Sequence, residues 1–568
     1  MERFTATFLP VLVLMFLSAG VCAQYDNVQP VEMTVNLTHE DGQLQPIWAW
    51  WGYDEPNYTY LKDGKKLVRE ISELSPVPVF FRAHSLLVTG DGEAALKWGS
   101  TNAYTEDENG NPIYDWTIID KIFDTYIDLG MKPLAQIGFM PEALSTNPEP
   151  YRHHWKPGAK YEDIYTGWAY PPKDYYKWAE LVYQWVKHSV DRYGKEEVES
   201  WYWELWNEPN IGYWRGTTEE YIKLYDYTAD AVKRALPTAK IGGPETTGPG
   251  WDKAEAFLRT FLDHVVSGKN YATGETGAPL DFITFHAKGS PKLVDGTVVM
   301  NMGAQLNDIR KGFEVVASYP DLRYLPVIIG ESDPEGCAAC SEDDYPENAY
   351  RNGTMYSSYT AASFARKYDL AKAYDINLAG AVTWGFEFED QPWYAGFRDM
   401  ATNGVDKPVL NVFRMFGMME FNRLKVEGDL DYDYKKISDA SVRDNPDVNA
   451  LASRGEDAVT VMVFNYHDRN DIQVKPTPVT LNLEALPSSK VLVSQYRVDE
   501  KFSNSYTAYK AMGSPKNPTP EQIDQLEQAG QLQLFTSPQY MDVKDGKLTL
   551  NLDLPRQGVA LFKVEFEN

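Results

Sequence analysis

Eight repeats of one pattern fill the sequence from about Pro46 to Met419. Each repeat has a short apolar, aromatic or β-branched run, followed by a loop or a longer stretch with apolar residues at helical spacing. The runs are IWAWWGY, PVPVFFRAH, KPLAQIGFM, SWYWELWNE, AKIGG, DFITFHA, LPVIIGE and LAGAVTWGF. Eight such βα units predict a closed (β/α)8 barrel rather than an open doubly wound sheet, although periodicity alone does not exclude the latter.

The pattern changes from about Asn422, where short alternating runs are separated by turn residues. AVTVMVFNY, TPVTLNLEAL, KVLVSQYRVD, KLTLNLDL and GVALFKVEF predict a β-sandwich. VEMTVNLT, beginning at Val31, has the same alternation and is predicted to add a strand to it. The predicted division is therefore an N-terminal strand segment over 24–45, a barrel over 46–421 and a β-sandwich over 422–568.

The first 23 residues are typical of a secretory signal peptide. Residues 8–21 form a short apolar run, and Val21-Cys22-Ala23 follows at the position that a signal peptidase reads. We expect cleavage after Ala23 and a secreted or periplasmic protein without a membrane span. An uncleaved anchor and lipidation at Cys22 are the less favoured alternatives.

The charge balance bears on the binding partners. The chain has 54 Lys and Arg against 82 Asp and Glu, a net charge of −28. A field of this sign repels phosphate backbones, so we expect no nucleic acid partner.

Two strand ends carry a carboxyl group. In barrel enzymes the reacting groups lie at the C-terminal ends of the strands. The fourth run ends in WNEPN, which contains Asn207 and Glu208, and the seventh ends at Glu331. Cleavage of a glycosidic bond needs one carboxyl to protonate the departing oxygen and another to attack the sugar carbon or activate water. Glu208 and Glu331 are the predicted pair, and we expect one of them to have a raised pKa, because two neighbouring carboxyls do not both ionise cheaply.

The text around these residues resembles glycoside hydrolase family 39, of the clan of retaining (β/α)8 barrels. The similarity covers most of the chain and is strongest in YDWTIIDKIFDTYIDLGMKPLAQIGFMPEAL, YPPKDYYKWAELVYQWVKHSVDRYGKEEVESWYWELWNEPN and GFRDMATNGVDKPVLNVFRMF. The resemblance implies that Glu208 is the acid/base, that Glu331 is the nucleophile, and that Asn207 binds the hydroxyl beside the reacting carbon. It also implies a double displacement through a covalent glycosyl-enzyme.

Further substrate-binding candidates follow from strand-end position. They are Arg82 and His84 after strand two, His286 and Lys288 after strand six, and Trp384 on strand eight. Arg82 could instead pair with the nucleophile and lower its pKa. The alternative for each histidine is a structural hydrogen bond, and the alternative for Trp384 is the core, although the resemblance favours the pocket floor.

Lys288 departs from the clan pattern, in which many members have a tyrosine two residues after the histidine of strand six. A cation near the reacting sugar would favour a substrate that bears a carboxylate, as in the iduronidase branch of the family. The alternative is an ion pair with Glu387 or Glu389.

Cys337 and Cys340 have the CxxC spacing of half a zinc site or a redox pair. A second pair of ligands is missing, so a short disulfide beside Glu331 is favoured. No strand end offers a cluster of metal-ligand type, and we expect neither metal nor cofactor.

The sequence thus predicts a secreted, retaining exo-glycosidase that acts on plant cell-wall type polysaccharide or oligosaccharide fragments, with β-xylosidase as the nearest activity. The alternative keeps the mechanism and changes the sugar to an L-arabinose, galactose or uronic acid glycoside. A sugar-binding protein without catalysis is a remote alternative. Homo-oligomerisation and the role of the sandwich, as interface, carbohydrate-binding module or stabilising domain, stay open.

Overall fold

The computed structural model describes residues 28–471 and 474–567. The predicted signal peptide, its cleavage site and Cys22 lie outside the described residues. The strands are β1 (Val31–Gln43), β2 (Trp50–Tyr53), β3 (Phe80–Ala83), β4 (Tyr104–Glu106), β5 (Pro112–Tyr114), β6 (Lys132–Ile137), β7 (Tyr202–Leu205), β8 (Lys240–Thr246), β9 (Phe282–Lys288), β10 (Lys292–Val294), β11 (Thr297–Val299), β12 (Val327–Asp333), β13 (Leu378–Ala381), β14 (Thr383–Trp384), β15 (Ala401–Thr402), β16 (Val405–Asp406), β17 (Asn422–Gly428), β18 (Asp447–Arg454), β19 (Ala458–Tyr466), β20 (Thr477–Glu484), β21 (Lys490–Val498), β22 (Gln533–Asp542), β23 (Lys547–Leu554) and β24 (Val559–Phe566).

The α-helices are α1 (Lys62–Leu74), α2 (Thr117–Ile127), α3 (Tyr175–Tyr193), α4 (Lys195–Ser200), α5 (Thr218–Ala235), α6 (Asp252–Ser267), α7 (Met302–Ala317), α8 (Thr354–Tyr374), α9 (Pro408–Gly417), α10 (Tyr434–Ala440), α11 (Ser505–Ala511) and α12 (Pro520–Gly530). Short 3₁₀ helices cover Pro56–Tyr58, Glu142–Leu144, Tyr161–Ile164, Gly167–Ala169 and Pro346–Asn352. None of the helices within the described ranges has both the length and the hydrophobicity needed to cross a bilayer.

The barrel sheet has the order β13-β12-β9-β8-β7-β6-β3-β2-β14, and its neighbouring strands are parallel. β13 pairs with β12 at one edge of this order, and β14 pairs with β2 at the other. Only Val382 separates β13 from β14, so the two form one interrupted eighth strand that closes the sheet. The predicted (β/α)8 barrel is confirmed, and the open sheet is excluded.

Helices α3 and α5 show how the sequence sets the outer layer. Asp174 caps α3 by accepting hydrogen bonds from the backbone of Tyr176 and Lys177. Thr217 and Glu220 form a capping box at the start of α5. The two helices pack against each other, and α5 also packs on β7. Together they support the strand that leads into WNEPN.

The second sheet has the order β22-β21-β24-β19-β18-β17-β1-β20-β23 and is antiparallel apart from the pairing of β1 with β20. Apolar side chains of β19, β20, β21, β23 and β24 share one core, so the sheet folds over on itself. The predicted β-sandwich is therefore confirmed. β1 lies between β17 and β20.

Helix α8 lies between the barrel and the sandwich and is buried on nearly every side. It packs against α7 and α9 of the barrel and against β18, β19 and β24 of the sandwich. Arg366 donates hydrogen bonds of 2.8 and 2.7 Å to both carboxylate oxygens of Asp447 across this contact. The predicted domain boundaries at 45/46 and 421/422 stay predictions.

Candidate active site

The C-terminal ends of the barrel strands bring five predicted site residues into one cluster. Arg82 lies in β3, Glu208 follows β7, His286 and Lys288 lie in β9, and Glu331 lies in β12. Four of these side chains are at most 9% exposed, and that of Lys288 is 22% exposed. In this buried setting charge interactions are weakly screened, so their arrangement decides the chemistry.

The backbone that presents Glu208 adopts conformations uncommon for residues with a side chain. Trp206 has a φ of 69° and Glu208 a φ of 41°, both in the left-handed region. The amide of Glu208 donates a 2.8 Å hydrogen bond to the carbonyl of Glu245, whose own φ is 55°. Strain of this kind persists where the surrounding structure enforces it, and it is concentrated at functional sites.

Lys288 joins the two predicted catalytic carboxylates. Its Nζ lies 3.2 Å from Oε1 of Glu208 and 2.6 Å from Oε2 of Glu331. Because both oxygens contact one nitrogen, they are no more than about 6 Å apart, a separation near that of retaining glycosidases.

His286 links Glu208 to a carboxyl that the sequence analysis did not single out. Nδ1 of His286 lies 2.8 Å from Oε1 of Glu208, and Nε2 lies 2.8 Å from Oε1 of Glu245. Both ring nitrogens face carboxylates, so both donate when the ring is an imidazolium. Burial opposes that charge, but Glu331 and Glu245 raise the pKa of His286 to about 9.

The pKa values of the two predicted catalytic carboxyls are both lowered. Burial acts in the opposite direction, but Lys288 and His286 hold the pKa of Glu208 well below its usual range. Against burial, His286 and Lys288 also lower the pKa of Glu331. The expectation that one of the two pKa values is raised is therefore wrong for this structure, because two cations lie among the carboxylates.

Arg82 is fully buried beneath the pair. Its Nε donates to Oε2 of Glu204 at 2.5 Å, and its Nη2 donates to Oδ1 of Asn207 at 3.1 Å. Nη1 lies 3.7 Å from Oε1 of Glu331. Arg82 is therefore placed to pair with this carboxylate, which is the predicted alternative to a substrate contact. Oδ1 of Asn207 accepts the hydrogen bond from Arg82, so the Nδ2 group of Asn207 is the one left to contact a ligand. Nδ2 has no hydrogen-bond partner among the described residues.

His84 has a defined tautomer. Its Nδ1 lies 2.7 Å from Oδ1 of Asp54, and Nη1 of Arg82 lies 3.1 Å from its Nε2. Arg82 has no acceptor, so Nε2 accepts and the ring proton is on Nδ1. Burial lowers the pKa of His84, which favours this neutral form. Lys97 forms an ion pair with Asp54 on the other side.

Trp384 lies under Arg82 and His84. The guanidinium carbon of Arg82 is 5.0 Å from the Trp384 ring, and the His84 ring is 4.4 Å away. On another side the Trp384 ring leaves no space for a side chain at Gly52, where a Cβ would lie 2.4 Å from the ring. Trp384 therefore packs beneath the residues that hold Glu331.

A small pocket lies beside His84, and its lining combines charged and aromatic side chains. The lining residues are Asp54, His84, Ser85, Val88, Lys97, Trp98, Phe139, His153, Ile164, Trp168 and Tyr213.

Residues 94–539 match the family model described as glycosyl hydrolases family 39. The chain belongs to this family. Family 39 consists of retaining glycoside hydrolases, and the predicted family, fold and enzyme class are thereby confirmed.

Two curated relatives of different specificity are similar to the chain. A β-xylosidase of Caldicellulosiruptor saccharolyticus is 26% identical over 460 residues, which cover 78% of this chain and 82% of the relative. An α-L-iduronidase of Mus musculus is 24% identical over 418 residues, which cover 68% of this chain and 62% of the relative. Among solved structures, a monomeric β-xylosidase of Caulobacter crescentus CB15 is 22% identical with a TM-score of 0.72, over 95% of this chain and 100% of that one.

The predicted alternative for Lys288, an ion pair with Glu387 or Glu389, is wrong. Oε1 of Glu387 accepts a hydrogen bond from the amide of Gly404, and Oε2 of Glu389 accepts one from the amide of Asp63. Lys288 pairs with Glu208 and Glu331 instead.

A disulfide and several hydrogen bonds hold the loop after β12 in place. Cys337 and Cys340 form a disulfide. Buried Arg351 donates to the carbonyls of both cysteines, at 3.0 and 2.8 Å, and to Oε1 of Glu335 at 2.6 Å. Arg398 donates to the same carboxylate oxygen at 2.8 Å. The segment that follows Glu331 is thus held by a covalent bond and two guanidinium groups.

Three acidic residues of the site were not predicted from the sequence. Asp54 directly follows β2, so the strand-end rule could have found it. Glu245 lies in β8, which extends past the predicted end at Gly243 through Pro244. Glu204 lies inside a strand among aromatic residues, and no sequence signal marks it as polar core.

Proposed function

We propose that the protein is a secreted, exo-acting retaining glycosidase that removes β-xylosyl units from plant cell-wall type oligosaccharides. The observation that carries the mechanism is the contact of Glu208 and Glu331 with one ammonium group, which keeps their oxygens within about 6 Å. Inverting enzymes hold their carboxyls roughly 6.5 to 9.5 Å apart to admit a water molecule between them and the sugar.

In the proposed cycle Glu331 attacks the anomeric carbon while Glu208 donates its proton to the departing oxygen. Glu208 then takes a proton from a water molecule that attacks the same carbon, which releases Glu331. The free amide nitrogen of Asn207 donates to the hydroxyl beside the reacting carbon. Lys288 and His286 favour ionised Glu208 in the free enzyme, and we propose that entry of the substrate weakens the contact between Lys288 and Glu208.

A uronic acid glycoside is the second candidate substrate, and the position of Lys288 favours it. A carboxylate on the sugar would attract this ammonium away from Oε1 of Glu208. The pKa of Glu208 would then rise, and the acid would hold its proton in the substrate complex. The similarity to an α-L-iduronidase supports the same candidate, whereas the similarity to β-xylosidases supports the first.

Aryl glycosides test the mechanism and the sugar together. Glu331→Ala should abolish release from every substrate that the wild type cleaves, and azide should partly restore it with an inverted glycosyl azide. Glu208→Ala should spare substrates with good leaving groups and lose the others. Glu219→Ala, an exposed site on α5, serves as the control. Equal loss on all leaving groups in Glu208→Ala, or a retained azide product in Glu331→Ala, would contradict the assigned roles.

Secretion has its own test. Expression of the full chain, followed by N-terminal sequencing of the exported protein, should give Gln24 as the first residue. An intact Met1 or a lipid-modified Cys22 would overturn this part of the proposal.

A further inference from the structure

The base of the site holds more carboxyl groups than cations. Four glutamates contact or face one another there: Glu204, Glu208, Glu245 and Glu331. Three cations accompany them: Arg82, His286 and Lys288. The adjoining Asp54 is balanced by Lys97, and His84 is neutral. Because an unbalanced buried charge is strongly unfavourable, one of the four glutamates should carry a proton.

Glu204 and Glu245 each have an oxygen that lacks a donor. Oε2 of Glu204 accepts from Arg82, but Oε1 has no partner among the described residues. Oε1 of Glu245 accepts from His286, but its Oε2 likewise has none in the described part of the chain. Buried polar atoms without a partner are rare. The two side chains come from adjacent strands, β7 and β8, both contact Arg82, and a hydrogen bond with Glu245 contributes to the raised pKa of Glu204. A proton shared between them supplies the missing hydrogen bond.

The surroundings place this proton on Glu204. Burial and the charge of Glu245 raise the pKa of Glu204 to about 8, although Arg82 acts in the opposite direction. Burial would raise the pKa of Glu245 as well, but Arg82 and His286 lower it to about 2. Among the described residues, Tyr221 of α5 also interacts with the pair, and its hydroxyl donates to the carbonyls of Leu205 and Pro244.

We propose that Glu204 and Glu245 act as a pair of positioning residues, in which protonated Glu204 donates a hydrogen bond to ionised Glu245. The pair then carries one negative charge. Glu245 uses it to hold His286 as a cation that donates to Glu208, and Glu204 accepts from Arg82 beneath Glu331. The inference rests on the catalytic roles proposed for Glu208 and Glu331.

The two glutamates should respond differently to replacement by glutamine. An amide at position 204 can still donate to Glu245 and accept from Arg82, so it imitates the protonated acid and cannot ionise. An amide at position 245 removes the charge that keeps His286 cationic. Glu208 and Glu331 then lose the effect of a neighbouring cation, and their pKa values rise.

The experiment compares kcat and the pH dependence of kcat/KM for the wild type, Glu204→Gln, Glu245→Gln and the exposed control Glu219→Gln. We expect Glu245→Gln to lower kcat by about 100-fold or more and to move the acidic limb to higher pH. Glu204→Gln should lower kcat by less than about tenfold. Losses in Glu204→Gln equal to those in Glu245→Gln would show that Glu204 is an ionised partner of Arg82 and would overturn the proposal.

Two further measurements do not depend on turnover. The infrared difference between wild type and Glu204→Gln should contain the carbonyl stretch of a protonated carboxyl, and its absence would refute the inference. Between pH about 4.5 and 8 the folded wild type binds the proton that the unfolded chain releases, so Glu204 makes stability fall as pH rises. As pH rises over this range, the thermal midpoint of Glu204→Gln should therefore increase relative to that of the wild type. If no aryl glycoside is cleaved, the proposed function fails while these two results still decide where the proton lies.

Discussion

Replacing Lys288 by methionine tests the chemistry of the substrate most directly. The change removes the ammonium and keeps most of the apolar stem. Only 22% of the Lys288 side chain is exposed, so solvent screens its charge weakly. A charge-assisted hydrogen bond lost in such a setting costs about 2 to 3 kcal/mol, and an acceptor left buried without a partner adds to this. If Lys288 binds a substrate carboxylate, kcat/KM for a uronide should therefore fall by about 100-fold or more.

A neutral xyloside should respond to the same change in its pH dependence. Lys288 lowers the pKa of both Glu208 and Glu331. Without it Glu331 ionises only at higher pH, and Glu208 stays protonated to higher pH. Both limbs of the bell that relates kcat/KM to pH should therefore move upward. The maximum for the xyloside should change much less than that for the uronide, because no group of the sugar loses its partner.

The assay measures kcat/KM for an aryl β-D-xyloside and an aryl α-L-iduronide across pH, for wild type, Lys288→Met and Lys292→Met. Lys292 is an exposed lysine of β10 and controls for the loss of one positive charge. A preferential loss on the iduronide identifies Lys288 as the contact for the sugar carboxylate. Equal losses on both substrates would show that the ammonium serves only the protein's own carboxylates. If the pH dependence of kcat/KM for the xyloside stayed unchanged or moved to lower pH in Lys288→Met, the argument that Lys288 lowers the pKa values of Glu208 and Glu331 would be refuted.

Two other changes give separate expectations. Asn207→Ala should lower kcat/KM by about 100-fold on a parent glycoside, through the lost contact to the 2-hydroxyl, but by only a few-fold on the 2-deoxy analogue; similar losses on both would remove Asn207 from that role. Joint replacement of Cys337 and Cys340 by serine should destabilise the protein by about 2 kcal/mol, since the closed loop is short. It should lower the thermal midpoint by a few degrees and leave kcat largely intact, because Arg351 and Arg398 still hold the loop. Loss of most of the activity with an unchanged midpoint would mean that the disulfide itself orients Glu331.

Sequence patterns located the barrel well because each strand is a buried run with a distinct end. The rule that reacting groups lie at strand ends found Glu208, Glu331 and the residues of β9. The same patterns gave no account of helix α8, which is buried on nearly every side and therefore lacks the polar stripe that marks an amphipathic helix. They also did not indicate the three short helices α10 to α12 among the sandwich strands, because that region was assigned by its alternation alone.

What sequence could not supply is the pairing of charges inside the barrel. Acidic residues occur at several strand ends, and the sequence does not indicate which of them contact Lys288. In the closed barrel Glu208 and Glu331 lie beside it. Glu245 depends on an extension of β8 that turns its side chain toward His286, and Glu204 depends on Arg82 from another strand. These contacts join residues that are 41 to 122 positions apart in the chain.

The prediction that Glu208 or Glu331 has a raised pKa was wrong for the same reason. Two carboxyls considered alone repel each other, so one of them should keep its proton. In the folded chain His286 and Lys288 lie among them, and the excess proton of the cluster is carried by Glu204, away from the reacting atoms. The site therefore keeps its nucleophile ionised at the expense of its acid. In the proposed cycle a substrate that draws Lys288 away from Oε1 of Glu208 raises the pKa of Glu208, and a carboxylate on the sugar would do so more strongly than a neutral hydroxyl.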